Sequence, residues 1–479
     1  MRVLMVCLWL VVAGAAWAGG GPLVMLAGGG TEGEIGDRAS WSARLYRHLL
    51  DRGDVTGDGR VVVAVLSAED ESDFIPRYFR WLGADEAVNV KVDSRDRAAA
   101  ADTLAALDRA DAVFIKGGDQ GRYYRLWNDT PLEGALRRLV ERHGAIGGTS
   151  AGAMSLAEVA LAGGKSPTSA EVLADACTPE LDDVEGGSAL HADFLGFVSA
   201  CTIDTHFTER ARLGRLLGVL ARAAEENRRR DLLGIGVSEQ TGVVIEGGVA
   251  RVIGRESVWF VHAQAGAKLW RKAGRPLVFA PLDADVLVEG WSYRLAERSA
   301  GRPPEGALPA GSCDVPPGAG ALALSGADPA AEESFNLVLR RGAPFQVRSG
   351  HAVPRLRNAI GVADAEDEQR GFAQEGIVCG LYEYPGAVAF LLPAGSRVWR
   401  TAEQPARLVF GGGRGPEAAA IVIDSHRSGW RGLAPEASSM DPGDGSLRAA
   451  ALTRLTVGAY AATADSGVAF DMRAHAPTR

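Results

Sequence analysis

The sequence predicts an α/β protein, a mostly parallel, doubly wound sheet followed by a β-rich C-terminal extension. Three observations carry that expectation. Apolar strand patterns and helical patterns alternate regularly between Pro22 and Gly147, as in a chain of right-handed βαβ crossovers. The strand at Arg60–Ser67 is one continuous apolar run, which suits a sheet covered on both faces. Beyond a Pro-, Gly- and Ala-rich stretch at 300–333 the helical period fades and short strand patterns take over.

The chain starts with a segment that does not belong to the fold. Arg2 gives a positive n-region, Val3–Val12 is apolar, and Ala16-Trp17-Ala18 is a small-x-small cleavage site before Gly19. Residues 1–18 therefore read as a signal peptide. The apolar run is short for a bilayer span, so the expectation is an exported, periplasmic or extracellular protein with no membrane insertion after cleavage. The remainder divides into a domain at 19–295, a linker at 296–333 and a β-rich domain at 334–479. With 479 residues, 47% apolar and 23% charged, the composition is that of a soluble globular protein. A net charge of −9 argues against nucleic acid and anionic membrane surfaces as partners. The oligomeric state stays open between a monomer and a homodimer.

Cys7 leaves with the leader. Cys177, Cys201, Cys313 and Cys379 remain, and an even number in an exported chain permits two disulfides. Proximity in sequence favours Cys177–Cys201 and Cys313–Cys379. Their spacing does not suit zinc, and no other cofactor is expected.

Each element then follows in order. Pro22–Ala27 is a buried strand that ends in Gly28-Gly29-Gly30, without the spacing of a dinucleotide fingerprint. A helix is predicted at Ser40–Leu50. Asp54–Gly59 begins like a calcium loop, but no glutamate closes it, so it reads as a turn. Strand Arg60–Ser67, helix Glu71–Leu82, strand Val88–Val92, helix Ala98–Ala110 and strand Ala112–Lys116 follow. That last strand closes on Gly117-Gly118-Asp119-Gln120. Helix Leu132–His143 leads to strand Ala145–Gly147, and a helix at Met154–Ala162 follows the next turn. A long loop is expected at 163–187, then strand Gly196–Ile203, helix Glu209–Glu226 and strand Leu232–Val237. Gly242–Ile245 and Ala250–Val252 form a hairpin, with closing strands at Val258–Ala263 and Leu277–Val288. Later strands are expected at Phe335–Leu339, Ile377–Tyr384, Ala387–Leu392, Ser396–Arg400, Ala406–Phe410 and Ala418–Asp424.

The turn between the fifth strand and its helix is Gly148-Thr149-Ser150-Ala151-Gly152. A Gly-x-Ser-x-Gly turn lifts a serine hydroxyl above a sheet. Ligands of open α/β sheets lie beyond the carboxyl ends of the strands. Gly28–Gly30, Gly117–Gln120 and Ser150 all fall there. A serine nucleophile needs a base and an acid that orients the base. Of the eight histidines, His48 and His143 sit in helical patterns, His191 in a loop, His262 in a late strand and His426 far from any constellation. His206 directly follows a buried strand and is the candidate base. Glu239, just past another strand end, is the candidate acid, with Glu171 as its rival. The Ala151 N–H and the Gly118-Asp119 peptide are candidate oxyanion donors. Gln120 is placed to hold substrate. Arg210, Arg212 and Arg215 share one helix, and an inward one could clamp a carboxylate.

Four motifs occur together and in order: Phe114–Gln120, Gly148–Ala153, His206-Phe207 with Arg210, Arg212 and Arg215, and Gly234–Glu239. Over about residues 22–290 the chain resembles the cyanophycinase-like serine peptidases, the family that also contains aspartyl dipeptidases. The resemblance implies a class I glutamine-amidotransferase-like fold in which serine replaces cysteine. It implies an exopeptidase that cleaves cyanophycin, a poly-aspartate chain with arginine on each β-carboxyl, into β-aspartyl-arginine dipeptides. It assigns Ser150 as nucleophile, His206 as base and Glu239 as third member, with Gln120 and the arginines as substrate contacts. The family has glutamine where this chain has Thr205, and aspartate where it has Ser238. Both positions are read as lining the substrate site. An aspartyl dipeptidase with another substrate, and a non-catalytic binding protein on the same scaffold, are the alternative readings.

Overall fold

The computed structural model describes residues 22–309, except 70, 163–165, 183–188 and 227–228. Beyond these it describes 378 and 381 and the pieces 335–339, 388–392, 397–400, 407–411, 419–434 (without 426), 449–461, 468–471 and 476–478. The leader, Cys313, Cys379 and His426 lie outside the described residues, as does nearly all of the strand expected at Ile377–Tyr384.

Five strands make the parallel part of the first sheet: β1 (Leu23–Ala27), β2 (Val62–Ser67), β3 (Glu86–Lys91), β4 (Ala112–Ile115) and β5 (Ala145–Thr149). They lie in the order β1-β5-β4-β2-β3. Both faces are covered, because side chains alternate along a strand. Leu23, Met25 and Ala27 share a core with α1 (Trp41–Tyr46) and α2 (Phe74–Leu82). Val24 and Leu26 share the opposite core with α3 (Arg95–Ala99), α4 (Ala101–Asp108), α5 (Gln120–Trp127) and α6 (Pro131–Glu141). Helix α5 has no counterpart in the sequence reading, because its apolar positions are broken by Arg122 and Arg125. The Asp54 turn contains no calcium loop geometry. Its carboxylate accepts the N–H groups of Gly57 at 2.6 Å and Gly59 at 2.7 Å.

The sheet is not mostly parallel. After β5 come α7 (Ala151–Met154), β6 (Ala160–Leu161), α8 (Ser169–Ala174), α9 (Pro179–Asp182), β7 (Leu190–His191), β8 (Cys201–Thr205), α10 (Leu213–Glu226) and β9 (Leu233–Val237). Three hairpins follow, alternating between two sheets: β10 (Thr241–Glu246) with β11 (Val249–Gly254), β12 (Val258–Trp270) with β13 (Val278–Leu287), and β14 (Ser292–Arg294) with β15 (Ser299–Ala300). Hairpin neighbours must be antiparallel. β10 runs antiparallel to β1, and β11, β14 and β15 extend that side, completing nine strands. The helix expected at Met154–Ala162 stops at Met154, where the chain turns into β6. The loop expected at 163–187 holds α8 and α9.

A second sheet of ten strands contains β8 and β9, which are parallel, then β12 and β13. The C-terminal region supplies the rest of it. Its strands are β16 (Leu308–Pro309), β17 (Phe335–Leu339), β18 (Val388–Leu392), β19 (Arg397–Arg400), β20 (Arg407–Gly411), β21 (Ala419–Asp424), β22 (Trp430–Leu433), β23 (Ala450–Ala461), β24 (Val468–Asp471) and β25 (Ala476–Thr478). β23 pairs with β13, and the Arg454 N–H donates to the Asp285 carboxylate at 2.7 Å. β19, β20, β24 and β25 form a separate four-stranded sheet. Two strands, β15 and β16, fall inside the stretch read as a linker.

The proposed Cys177–Cys201 disulfide is not formed. Cys201 opens β8 fully buried, with its thiol donating to the Val198 carbonyl at 3.2 Å. Burial pushes that thiol up to about 12, so it stays protonated.

Candidate active site

Ser150 sits at φ 52° and ψ −123°, between β5 and α7. A side chain in this region is strained and persists only when the surroundings hold it. Two hydrogen bonds do so. Its N–H donates to the Ala27 carbonyl at 3.0 Å, and its carbonyl accepts the Met154 N–H at 3.0 Å. The turn also requires Gly152, where an added Cβ would lie 2.2 Å from the Ile115 carbonyl oxygen. Glycine there lets α7 pack directly on the end of β4. With only four residues, α7 contributes little dipole of its own, so any oxyanion must rely on nearby N–H groups.

His206 directly follows β8, a strand of the second sheet. Its Nε2 lies 2.8 Å from Ser150 Oγ, and its Nδ1 lies 2.5 Å from Glu239 Oε1. Glu239 follows β9, the neighbour of β8. The loop after β1 joins this pair to the first sheet. The Gly28 carbonyl accepts the His206 N–H at 2.8 Å, and the Gly29 carbonyl accepts the Gln240 N–H at 2.9 Å. Gly29, at φ 104°, lies against the imidazole, and a Cβ there would be 2.3 Å from His206 Cε1. The glycines after β1 thus seat the histidine.

Burial lowers the His206 pKa, the Glu239 hydrogen bond opposes this, and the charges of Arg210 and Arg212 add to the lowering. The His206 hydrogen bond holds Glu239 below the usual carboxylate range against the cost of burial. The resting pair is therefore a neutral imidazole whose Nδ1–H donates to a carboxylate. That leaves Nε2 as an acceptor for the serine hydroxyl.

Glu171, the rival acid, is engaged elsewhere. It closes a capping box on α8, accepting the Thr168 N–H at 2.7 Å and hydroxyl at 2.9 Å. Glu209 is an acid that the sequence reading passed over. Burial pushes its carboxyl up to about 7, the nearby Glu239 backbone N–H works the other way, and its Oε2 has no partner. Its one signal in the sequence is its place three residues after His206.

The three arginines separate. Arg215 is buried and meets Asp204 through two bonds, Nε to Oδ2 at 2.8 Å and Nη2 to Oδ1. Arg212 donates to the same carboxylate at 3.2 Å and to the Thr205 carbonyl at 2.6 Å. Burial opposes ionisation of Asp204, but the two guanidiniums outweigh it and hold its pKa down. Both arginines therefore brace the strand that carries His206, and neither is available to clamp substrate. Arg210 is exposed, with no ion pair among the described residues.

Thr205 and Ser238 are both fully buried. The Thr205 hydroxyl has no hydrogen-bond partner, and Ser238 Oγ is 2.6 Å from Thr208 Oγ1. They lie beneath the histidine and the glutamate and do not line an open surface, which corrects the substrate-binding role expected for Thr205.

The Gly117–Gln120 loop passes in contact with the serine: a Cβ on Gly117 would lie 3.9 Å from Ser150 Oγ. Tyr123 Oη fixes this loop by reaching the Lys116 and Gly117 carbonyls at 3.0 and 2.9 Å. A trans peptide then turns the Gly118 N–H away from that side. The Asp119 carboxylate caps α5 through the Gly121 N–H at 2.8 Å. The Ala151 N–H, at the first position of α7, has no helical acceptor. Gln120 is half-buried at the rim, 3.5 Å from Ser166 Oγ.

A strained serine at a strand end, a neutral histidine on its hydroxyl and a carboxylate behind the histidine make up the site of a serine-type hydrolase. Residues 68–253 match the profile of peptidase family S51. A cyanophycinase of Trichormus variabilis is 32% identical over 229 residues, which cover 47% of this chain and 70% of that one. The chain belongs to peptidase family S51. A cyanophycinase of Synechococcus elongatus is 35% identical over 207 residues, 42% of this chain, and the match spans only 58% of that relative's length. The crystal structure of a peptidase from an acI-B1 actinobacterium aligns with 57% of this chain and 97% of its own, at 17% identity and a TM-score of 0.36.

Proposed function

We propose that this chain is an exported serine exopeptidase that hydrolyses cyanophycin to β-aspartyl-arginine dipeptides through an acyl-enzyme on Ser150. The carrying observation is the relay from Ser150 Oγ to His206 Nε2 at 2.8 Å and from His206 Nδ1 to Glu239 at 2.5 Å. The name of the S51 relatives supplies the substrate. We read the parallel strands and serine turn as a glutamine-amidotransferase-like arrangement.

In this reading His206 Nε2 takes the serine proton as Oγ attacks a backbone carbonyl of the aspartate chain. Glu239 stabilises the imidazolium that forms. The Ala151 N–H and the Gly118-Asp119 peptide receive the oxyanion, and donors of this kind are worth about 10²–10³ in rate. The imidazolium passes its proton to the leaving amine. Water, deprotonated by the same histidine, then releases the dipeptide from the ester. Arg210 is left to hold a free substrate carboxylate, with Gln120 beside it at the rim.

Mass spectrometry of products formed from cyanophycin tests the reading. Release of β-aspartyl-arginine, absent with Ser150→Ala, supports it. Absence of dipeptide from the wild-type protein refutes the substrate, and turnover by Ser150→Ala refutes the mechanism. A second reading, another aspartyl peptide, is favoured by Thr205 and Ser238, which change the packing under both relay residues. Labelling of Ser150 by a fluorophosphonate without cyanophycin cleavage is its expected outcome, and absence of labelling would leave a non-catalytic binding protein.

A further inference from the structure

A row of polar and aromatic side chains runs away from the site along α5. Gln120, Tyr124 and Asn128 recur at intervals of four, so they share one face and span about 12 Å along the helix. Next to them β7 and the residues after it bring in His191 and Asp193. The Tyr124 and His191 rings stack with centroids 3.6 Å apart and planes at 25°. Tyr124 Oη lies 3.1 Å from Asp193 Oδ2. Asn128 Nδ2 lies 3.4 Å from the same oxygen and 3.3 Å from Asp129 Oδ2.

The acceptors here outnumber the donors. Asp193 and Asp129 are both exposed, and neither meets a lysine or arginine within ion-pair distance among the described residues. Asn128 is only 5% exposed, and its Oδ1 has no partner. The nearby guanidiniums are engaged: Arg95 donates to the Asn128 carbonyl at 2.9 Å and Arg125 pairs with Asp119 at 3.7 Å. Burial lowers the His191 pKa, which keeps that ring uncharged. Two carboxylates lacking a cationic partner, edged by a neutral aromatic stack, suit a flat and weakly hydrated cation.

We propose that Asp193, Asp129 and the Tyr124–His191 stack form a guanidinium-binding subsite, separate from the Ser150 relay, for an arginine side chain further along the substrate polymer. This rests on the cyanophycin reading for its substrate. Its place about 6–12 Å along α5 from Gln120 corresponds to about two to four residues of extended chain, so it acts on polymer affinity and not on bond cleavage.

Two measurements test the subsite separately from the reading it rests on. The first is calorimetric titration with agmatine, a guanidinium without a carboxylate. Wild-type protein is expected to bind it, Asp193→Asn about tenfold more weakly and the charge-reversed Asp193→Lys not measurably. No binding to wild-type protein, or equal binding to all three, overturns the subsite whatever the substrate proves to be. The second is kinetics on cyanophycin. The Asp193→Asn variant should raise KM about tenfold with kcat within about twofold. An unchanged KM in a protein that cleaves cyanophycin overturns the subsite while leaving the function intact. If wild-type protein fails to cleave cyanophycin but agmatine binding depends on Asp193, the function fails and the subsite stands.

Discussion

Replacing Glu239 with glutamine keeps the volume and changes one hydrogen bond. In the native site the His206 Nδ1–H donates to Glu239 Oε1 at 2.5 Å, which leaves Nε2 to accept from Ser150 at 2.8 Å. A glutamine can offer its NH₂ to Nδ1 instead, and the imidazole proton then moves to Nε2, where it blocks the serine. In serine proteases the corresponding change, a wrong tautomer in intact geometry, lowers kcat about 10⁴-fold. A loss of about 10³–10⁴ is expected here, because the amide can also flip and restore part of the native tautomer. The pH profile supplies a second, signed test. Catalysis needs neutral His206, so kcat/KM rises with pH through the His206 pKa, which already lies below its usual value. Of the influences on that pKa, Glu239 raises it, whereas burial, Arg210 and Arg212 lower it. Without the carboxylate only the lowering influences remain. The acid limb of Glu239→Gln should therefore lie at lower pH than that of the native protein, alongside the lower maximum. Dipeptide release from cyanophycin, followed by chromatography across acid and neutral pH, measures both. A loss under tenfold, or an acid limb displaced to higher pH, would refute the assignment of Glu239 as the orienting acid.

Three further perturbations follow from the geometry. Gly29→Ala places a methyl group 2.3 Å from His206 Cε1 at φ 104°; activity should fall at least about 100-fold and stability by about 1–3 kcal/mol in urea unfolding. Asp204→Asn leaves buried Arg215 and its neighbour Arg212 without a counter-charge; a cost of about 3–5 kcal/mol is expected in the same assay, and a cost below about 1 kcal/mol would show that the pair does not hold β8. Val457→Pro removes a backbone donor from a fully buried position in β23 opposite Leu282; it should cost about 3 kcal/mol or more and lower the midpoint of activity loss together with that of unfolding. Retained native stability would mean that the C-terminal strands do not brace the peptidase sheet.

The parts of this site that were legible in the sequence are those written locally. The serine turn is a five-residue pattern whose small residues follow from the close pass of α7 over β4. His206 and Glu239 could be picked out because each directly follows a buried strand. What was not legible depends on partners distant in sequence or on which way a buried side chain points. Helical spacing put Arg210, Arg212 and Arg215 together but could not show that two of them turn inward onto Asp204, on the strand just before them. Strand patterns marked Leu232–Val237 without saying that it pairs with β8 in a sheet apart from β1. Thr205 and Ser238 stand next to functional residues in sequence, which suggests that they line the site, yet both are buried in the protein. Proximity in sequence pairs Cys177 with Cys201 but carries no information on whether a thiol is buried, and Cys201 is.

The division between two sheets bears on how the relay is kept in register. The nucleophile is fixed to the first sheet through the Ser150 N–H and the Ala27 carbonyl. The base and acid belong to neighbouring strands of the second. A hydroxyl–imidazole distance of 2.8 Å tolerates little sliding between two such bodies, and a misplacement of about 1 Å can cost 100-fold in rate. Two backbone bonds resist that sliding: the Gly28 carbonyl holds His206, and the Gly29 carbonyl holds Gln240, next to Glu239. The short loop after β1 therefore reaches both members of the second sheet while β1 itself pairs with β5, the strand leading into the serine. Behind Glu239 the support continues sideways, from β9 to β12, from β12 to β13 and from β13 to the C-terminal β23. A β-rich region that joins the ladder in this way stiffens the acid's side of the relay from residues far from it in sequence. Its sequence can change wherever it faces solvent, whereas the pairing of β23 with β13 is the contact through which it reaches the acid's side of the relay.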